Sequence, residues 1–170
     1  MLKRSLFLFL LISFAVNAAG QVEQRESDLK AVFIYNFTRY IEWGNDTGHE
    51  FVIGIISPSV IDRSLTEISK TNKVGNRRIV IRHFSKPEEI SYCNILFIPK
   101  NCPFPLSSVL ERVDKGTLTV SEEPGFARQG TAFNFIVIND KLKFEANLKA
   151  INAAGLKAGS QLLKLAIIID

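Results

Sequence analysis

The chain has 170 residues, of which 46% are hydrophobic, and its 21 basic and 17 acidic residues give a net charge of +4 at pH 7. A chain of this length can bury a substantial core as one domain. The basic residues form no long run, so nucleic acid is not expected as a partner.

The first twenty residues predict an export signal. Two basic residues precede an apolar run at 6–16, and small residues follow at 18–20, where cleavage is expected. The run is shorter than the about 20 residues that a membrane-spanning helix needs. We therefore expect a signal peptide at 1–20 and a single exported domain at 21–170 that is soluble in the periplasm. Removing the leader takes away two basic residues and leaves a net charge of +2.

Residues 29–43 predict the central helix of the core, because apolar side chains recur there at helical spacing. Ser27 is the expected N-cap, and Tyr35 and Arg39 lie on the outward side. The residues predicted to face the core are Leu29, Val32, Phe33, Phe37, Tyr40 and Ile41.

Strands and helices alternate through the middle of the chain. Strands are predicted at 51–57, 77–84, 93–99 and 116–122, with helices at 58–70 and 105–113. Two further strands, 131–138 and 141–147, flank the turn signal Asn139-Asp140. Asn147 and Ser160 are expected to cap short helices. The predicted fold is α/β, with three layers: a largely parallel twisted sheet flanked by helices, and a C-terminal antiparallel hairpin at one edge.

The cysteines Cys93 and Cys102 leave two alternatives open. An oxidising compartment permits a disulfide. The strand between them, however, carries the chain about 3.3 Å per residue, so the following loop would have to fold back to close a bridge. Both a disulfide and two free thiols are therefore retained as interpretations.

The sequence contains no recognised catalytic or metal-binding motif. The two histidines, His49 and His83, have no partnered nucleophile nearby in sequence. No phosphate-binding loop, nucleophile elbow or zinc-binding helix is present. We expect a binding protein without a catalytic residue, metal or cofactor.

The loop after the strand 116–122 is the candidate ligand crevice. In an alternating α/β sheet, ligands bind beyond the carboxyl ends of the strands. Ser121, Gly125 and Phe126 occupy that position. The alternative interpretation is an ordinary Pro-Gly turn held in place by Phe126.

Three segments resemble one known family. They are the helix LKAVFIYNFTRYIEW, the loop and strand VSEEPGFARQGTAFNF, and the closing stretch FEANLKAINAAGLKAGSQLLKLA. Together they are similar to the YfiR family of periplasmic proteins with a DUF4154 domain. The resemblance implies a regulator that represses an inner-membrane diguanylate cyclase by binding its periplasmic domain, and so lowers cyclic di-GMP signalling. Some relatives carry a cysteine pair near the Pro-Gly-Phe turn, where this chain has Ala127 and Asn134.

Partners other than the cyclase are also considered. The alternative function is a periplasmic small-ligand sensor for another membrane signalling protein. A homodimer and a small envelope-derived ligand are further candidates.

The predicted partner-binding residues lie on the hairpin and on two helices. They are Phe133, Glu145, Ile151, Tyr35 and Arg39. Glu145 stands between apolar neighbours, an arrangement typical of an interface centre. The alternative is that Phe133 and Ile151 belong to the core and Glu145 is solvated.

Overall fold

The computed structural model of the chain describes residues 2–44 and 48–169, with side chains from residue 21 onward. The signal peptide predicted at 1–20 falls on residues whose side chains lie outside this description. Among the described residues, no helix has the length and hydropathy needed to cross a membrane.

The described residues form five α-helices, one 3-10 turn and ten strands. The helices are α1 (Leu2–Tyr40), α2 (Ile61–Thr71), α3 (Leu106–Leu110), α4 (Leu148–Ala153) and α5 (Ser160–Leu163), and the 3-10 turn is Pro87–Glu89. The strands are β1 (Ile41–Glu42), β2 (Glu50–Ile56), β3 (Lys73–Val74), β4 (Arg77–Phe84), β5 (Ile95–Ile98), β6 (Leu118–Ser121), β7 (Phe133–Ile138), β8 (Lys141–Asn147), β9 (Lys157–Ala158) and β10 (Ile167–Ile169).

Eight of these strands form one sheet in the order β10-β8-β7-β6-β5-β2-β4-β3. The neighbours from β4 to β7 are parallel, whereas β7 and β8 form an antiparallel hairpin. The α/β class, the largely parallel sheet and the C-terminal hairpin are therefore confirmed. Strand β10 pairs parallel to β8 outside the hairpin, and the short strands β1 and β9 pair separately.

The sheet has packed side chains on both faces, which gives the predicted three layers. Along β2, Ile53 and Ile55 belong to the core cluster that also contains α1 and α2 residues. Their neighbours Val52 and Ile56 belong to a second cluster with Val109 of α3. Alternation along a strand sends successive side chains to opposite faces, so β2 lies between two layers of helices.

Helix α1 packs on the hairpin through aromatic side chains. The Phe37 ring centroid lies 4.6 Å from that of Phe133 and 5.1 Å from that of Phe144. Phe33 adds contacts to Phe135 and Phe144 at 6.1 and 5.9 Å. Burial of several aromatic rings is a major favourable contribution to a core of this size, and here it joins the first helix to the last large strands.

The predicted inward face of α1 is wrong in part. Leu29, Val32 and Tyr40 are exposed at 54%, 49% and 41%. Phe37 and Ile41 are buried as predicted, and the other buried positions of this segment are Ser27, Lys30, Ala31, Ile34 and Thr38. Apolar periodicity predicted the helix correctly. The observed buried face is rotated from the predicted one, because two polar side chains have partners in the interior. Lys30 pairs with two carboxylates, and the Thr38 hydroxyl donates to the Tyr35 carbonyl at 2.6 Å.

Two of the three predicted caps are wrong. Ser27 lies within α1 rather than at its start, and α5 is capped by Gly159 without a side-chain hydrogen bond. Asn147 caps α4 as predicted, because its Oδ1 accepts the Ala150 N–H at 2.9 Å.

The structure contains no bridge between Cys93 and Cys102; both thiols are free. Cys93 is buried, and its Sγ lies 3.1 Å from the position that a Cβ at Gly54 would take. Strand β5 then carries the chain along the sheet before Cys102 is reached, which is the physical reason that the disulfide interpretation fails here.

Candidate functional site

A buried group of polar side chains lies at the end of β6. Ser121, Thr131 and Asn134 are each 0% exposed. The Ser121 hydroxyl donates to Asn134 Oδ1 at 2.7 Å and lies 2.8 Å from Thr131 Oγ1. Buried polar atoms need such partners to offset their lost hydration.

Glu145 connects this buried group to the protein surface. Asn134 and Glu145 are directly paired residues of β7 and β8, and Asn134 Nδ2 donates to Glu145 Oε2 at 3.0 Å. Glu145 itself is half-buried. We call Ser121, Thr131, Asn134 and Glu145 the hairpin polar cluster.

Glu145 lies on a face of the sheet that solvent reaches. Strand pairing places Ile167 of β10 beside Glu145, and Ile136 beside Lys143 in the next row. Ile136, Glu145 and Ile167 are half-buried, and Lys143 is exposed. These four residues are called the open sheet face below.

The predicted ligand crevice contains one buried residue, Ser121, and two half-buried ones, Gly125 and Phe126. Ser121 is buried and its hydroxyl is used within the hairpin polar cluster. Phe126 packs against the core cluster that contains Val109. Gly125 has a φ of +84°, which glycine adopts readily, so the turn interpretation accounts for the Pro-Gly pair.

A charged crevice instead lies beside this turn. Lys30 Nζ of α1 is 2.6 Å from Glu26 Oε1 and 2.5 Å from Glu122 Oε2. The other Glu122 oxygen accepts the Lys100 N–H at 2.9 Å. Two neighbouring cavities of about 490 and 460 Å³ are both lined by Glu26, Lys30, Lys100 and Glu122. They lie at the carboxyl ends of β5 and β6, which is the edge where ligands bind in sheets of this type.

The Lys30 ammonium is stabilised by its carboxylate partners. Burial disfavours the charged form, but the hydrogen bonds that Lys30 donates to Glu122 and Glu26 outweigh that effect, so the pKa of Lys30 is raised. This crevice was not predicted, although a lysine within an apolar helix and two acidic residues directly after a strand were visible signals.

A second crevice lies at the carboxyl ends of β2 and β4. His83 Nε2 is 2.7 Å from Asp62 Oδ1, and both line a cavity of about 490 Å³. Sequence spacing gives no signal for this pair, because the partners are on different elements. Among the described residues, no group of three His, Cys, Asp or Glu side chains is placed to hold a metal ion.

The predicted partner-binding residues do not form one patch. Phe133 and Ile151 are 0% and 1% exposed and belong to the core cluster with α1. Tyr35 is half-buried and donates to the Lys73 carbonyl at 3.3 Å, and Arg39 is exposed. Helix α1 packs on the face that includes Phe144, so the sheet separates Tyr35 and Arg39 from Glu145.

The fold and this site define a small α/β domain. Its predominantly parallel sheet is covered by helices and includes a C-terminal hairpin with a buried hydrogen-bonded cluster. A family model described as DUF4154, YfiR/HmsC-like, matches residues 27–167. The chain therefore belongs to the YfiR/HmsC-like family, which is a family of regulatory domains.

Proposed function

We propose that this protein is a periplasmic regulator that binds the periplasmic domain of an inner-membrane diguanylate cyclase and holds the enzyme inactive. The family match over residues 27–167 carries the proposal. The export signal predicted at 1–20 supports the compartment, because a protein outside the cytoplasm can reach only the periplasmic part of such a cyclase.

The proposed mechanism is a shift between two conformations of the cyclase. A regulator that binds the inactive form more tightly raises its population, and an envelope signal that weakens this binding releases the enzyme. Glu145, Tyr35 and Arg39 are the proposed contacts. Phe133 and Ile151 lie in the core, where they hold β7 and α4 in place.

Deletion of the gene tests this function. It is expected to raise intracellular cyclic di-GMP and surface attachment, and expression of the chain in trans should reverse both. Purified protein should also bind the periplasmic domain of a co-encoded diguanylate cyclase in titration calorimetry. Unchanged cyclic di-GMP in the deletion strain, together with no binding, would refute repression.

A small-ligand sensor is the second candidate, favoured by the charged crevice around Lys30 and Lys100. A set of small envelope-derived compounds would be screened by thermal shift. The Lys100→Ala variant should lose any stabilisation by a ligand of this crevice, whereas Lys70→Ala, on the exposed side of α2, should retain it. Retention of the shift by Lys100→Ala would place the ligand elsewhere.

A further inference from the structure

Strand β4 leaves part of its outer edge without a neighbouring strand. On its inner side it pairs with β2 from Arg78 to Phe84. On its outer side β3 covers only Arg77 and Arg78. Among the described strands no other one pairs with β4. The outer side of residues 79–84 is therefore open, and we call this stretch the β4 edge.

The backbone groups of Ile81 and His83 point away from the sheet. The Phe84 carbonyl accepts the Ser57 N–H of the loop after β2 at 2.9 Å, so Phe84 faces β2. Successive residues of a strand direct their N–H and C=O groups to opposite sides. Arg82 therefore also faces β2, whereas Ile81 and His83 face outward. In the part of the chain that the structure describes, these outward groups make no backbone hydrogen bond, and such groups can pair with another chain.

Basic charge lies beside these open backbone groups. The Arg82 guanidinium donates to the Ser91 hydroxyl at 3.1 Å and to the Tyr92 carbonyl at 3.2 Å. Both partners are neutral, and no described carboxylate forms an ion pair with Arg82. Arg78 lies on the same side of the sheet and pairs with Glu50. A guanidinium without an acidic partner favours a strand that brings a carboxylate.

The same charge disfavours a second copy of this chain on the β4 edge. A two-fold axis at Ile81 would place β4 beside β4 of the other copy. Arg78 and Arg82 of both copies would then lie on one face, because they alternate with Ile81 along the strand. Like charges on neighbouring strands repel. Charged side chains of this kind prevent self-pairing at sheet edges, and they leave an acidic strand as the acceptable partner.

A cavity at the end of the β4 edge has room for a side chain. It has a volume of about 490 Å³ and lies at the carboxyl ends of β2 and β4. His83, Ser59 and Ser85 line it with polar groups, and Pro58 and Pro103 line it with apolar ones. In peptide recognition by strand addition, main-chain hydrogen bonds supply affinity and pockets select side chains. Because His83 belongs to both features, a strand along the edge ends at this cavity.

We propose that the β4 edge binds an extended, acidic segment of a partner protein as an additional strand of the sheet. The outward groups of Ile81 and His83 pair with its backbone, and a carboxylate of the segment contacts Arg82. A side chain at one end of the segment enters the cavity beside His83. In the strand order, the β4 edge lies on the opposite side of the sheet from the hairpin and the open sheet face. The inference therefore goes beyond cyclase regulation and does not depend on it.

Synthetic peptides test this binding on the unaltered protein. The probe is a capped heptapeptide of alternating glutamate and valine, titrated into isotope-labelled protein and followed by NMR. We expect the Ile81 and His83 amide signals to shift and their hydrogen exchange to slow, whereas the Val80 and Arg82 amides, which face β2, keep their exchange rates. An alternating lysine and valine peptide should bind at least about tenfold more weakly. A glutamate and valine peptide methylated at every second amide nitrogen should also bind at least about tenfold more weakly, because it cannot donate along one edge.

Two variants separate backbone pairing from charge. His83→Pro removes one outward N–H, and an edge strand tolerates proline where the N–H faces solvent, so pairing with β2 is kept. Arg82→Gln removes the charge and retains a donor for the Ser91 hydroxyl. Both variants should fold like wild type by circular dichroism and bind the acidic peptide at least about fivefold more weakly. Lys149→Gln, an exposed position on α4, should bind like wild type.

The contrary outcomes are equally specific. Unchanged Ile81 and His83 amides at millimolar acidic peptide would overturn the proposal. Equal binding of the lysine peptide, or wild-type binding by Arg82→Gln, would show that charge does not select the partner. Equal binding of the methylated peptide would exclude strand addition, and this result decides the matter if His83→Pro does not fold. Concentration-dependent protection of the two amides without peptide would assign the edge to a second copy and also overturn the proposal.

Discussion

Lys30 of α1 and Glu122, 92 residues later in the chain, form an ion pair with an Nζ–Oε2 distance of 2.5 Å. Their side chains are only 11% and 13% exposed. The second oxygen of the same carboxylate binds the Lys100 N–H. One glutamate therefore joins the first helix to the loops that follow β5 and β6.

Replacing Lys30 should destabilise the protein strongly. Lys30→Met leaves the Glu122 carboxylate largely buried without its cation, and breaking such a pair typically costs about 3 kcal/mol of the free energy of unfolding. Urea denaturation would measure the change. Lys70→Met is the matched control, because Lys70 and Glu67 are 60% and 64% exposed and their pair should contribute less than about 0.5 kcal/mol. Equal effects of the two variants would contradict the importance of the buried pair.

The same pair predicts a loss of stability at alkaline pH. The folded pKa of Lys30 is raised above its ordinary value of 10.5, so its contribution is fully present below pH 10.5 and is lost as the pH rises through the folded pKa. The difference in unfolding free energy between wild type and Lys30→Met should therefore shrink above pH 10.5. A constant difference from pH 8 to pH 12 would show that the lysine charge is not responsible.

Asn147 has two separable roles. Its Oδ1 caps α4 at the Ala150 N–H, and its Nδ2 donates to the Ala127 carbonyl at 2.7 Å. Asn147→Asp keeps the cap but leaves the Ala127 carbonyl without its donor, which should cost about 1–3 kcal/mol. Asn147→Ala should lose about 1 kcal/mol more, because the cap is also removed.

Hydrogen exchange would separate these two roles. The Ala150 N–H should stay protected in Asn147→Asp and exchange faster in Asn147→Ala. Ser160→Ala is the control, since Ser160 provides no cap, and its stability should stay within about 0.5 kcal/mol of wild type. Equal Ala150 exchange in both Asn147 variants would contradict the assigned cap.

The two thiols should differ in reactivity. Burial raises the pKa of the Cys93 thiol to about 12 and also raises the pKa of the half-buried Cys102. Because the thiolate is the reactive form, iodoacetamide at pH 8 should modify Cys102 slowly and Cys93 only after unfolding. Mass spectrometry would follow both sites. If denatured, unreduced protein failed to react at either cysteine, a disulfide would be present.

Local patterns predicted the elements well because they depend on short-range chemistry. The strand at 77–84 and the hairpin strand at 141–147 have the predicted bounds. The Asn139-Asp140 turn takes φ values of +50° and +57°, as a two-residue hairpin turn requires. The bounds of a strand and the position of a turn depend on nearby residues, so they can be predicted without identifying partners that are distant in sequence.

Long-range pairing explains what was missed. The burial of Lys30 depends on Glu122, and the position of Glu145 depends on Asn134, which is opposite it on another strand. Neither partner can be identified from spacing along the chain. Spacing likewise gave no sign that Thr131 and Asn134 are the partners of the Ser121 hydroxyl.

The packing of α1 on the hairpin has a consequence for the order of synthesis. Phe37 leaves the ribosome early, but its ring partners Phe133, Phe135 and Phe144 follow about a hundred residues later. Contacts so distant in sequence close slowly and cannot form on a partial chain. The aromatic packing between α1 and the hairpin therefore cannot form until the last quarter of the chain has been made. This polypeptide is predicted to be exported, and a chain whose core has not yet formed can pass through a secretion channel.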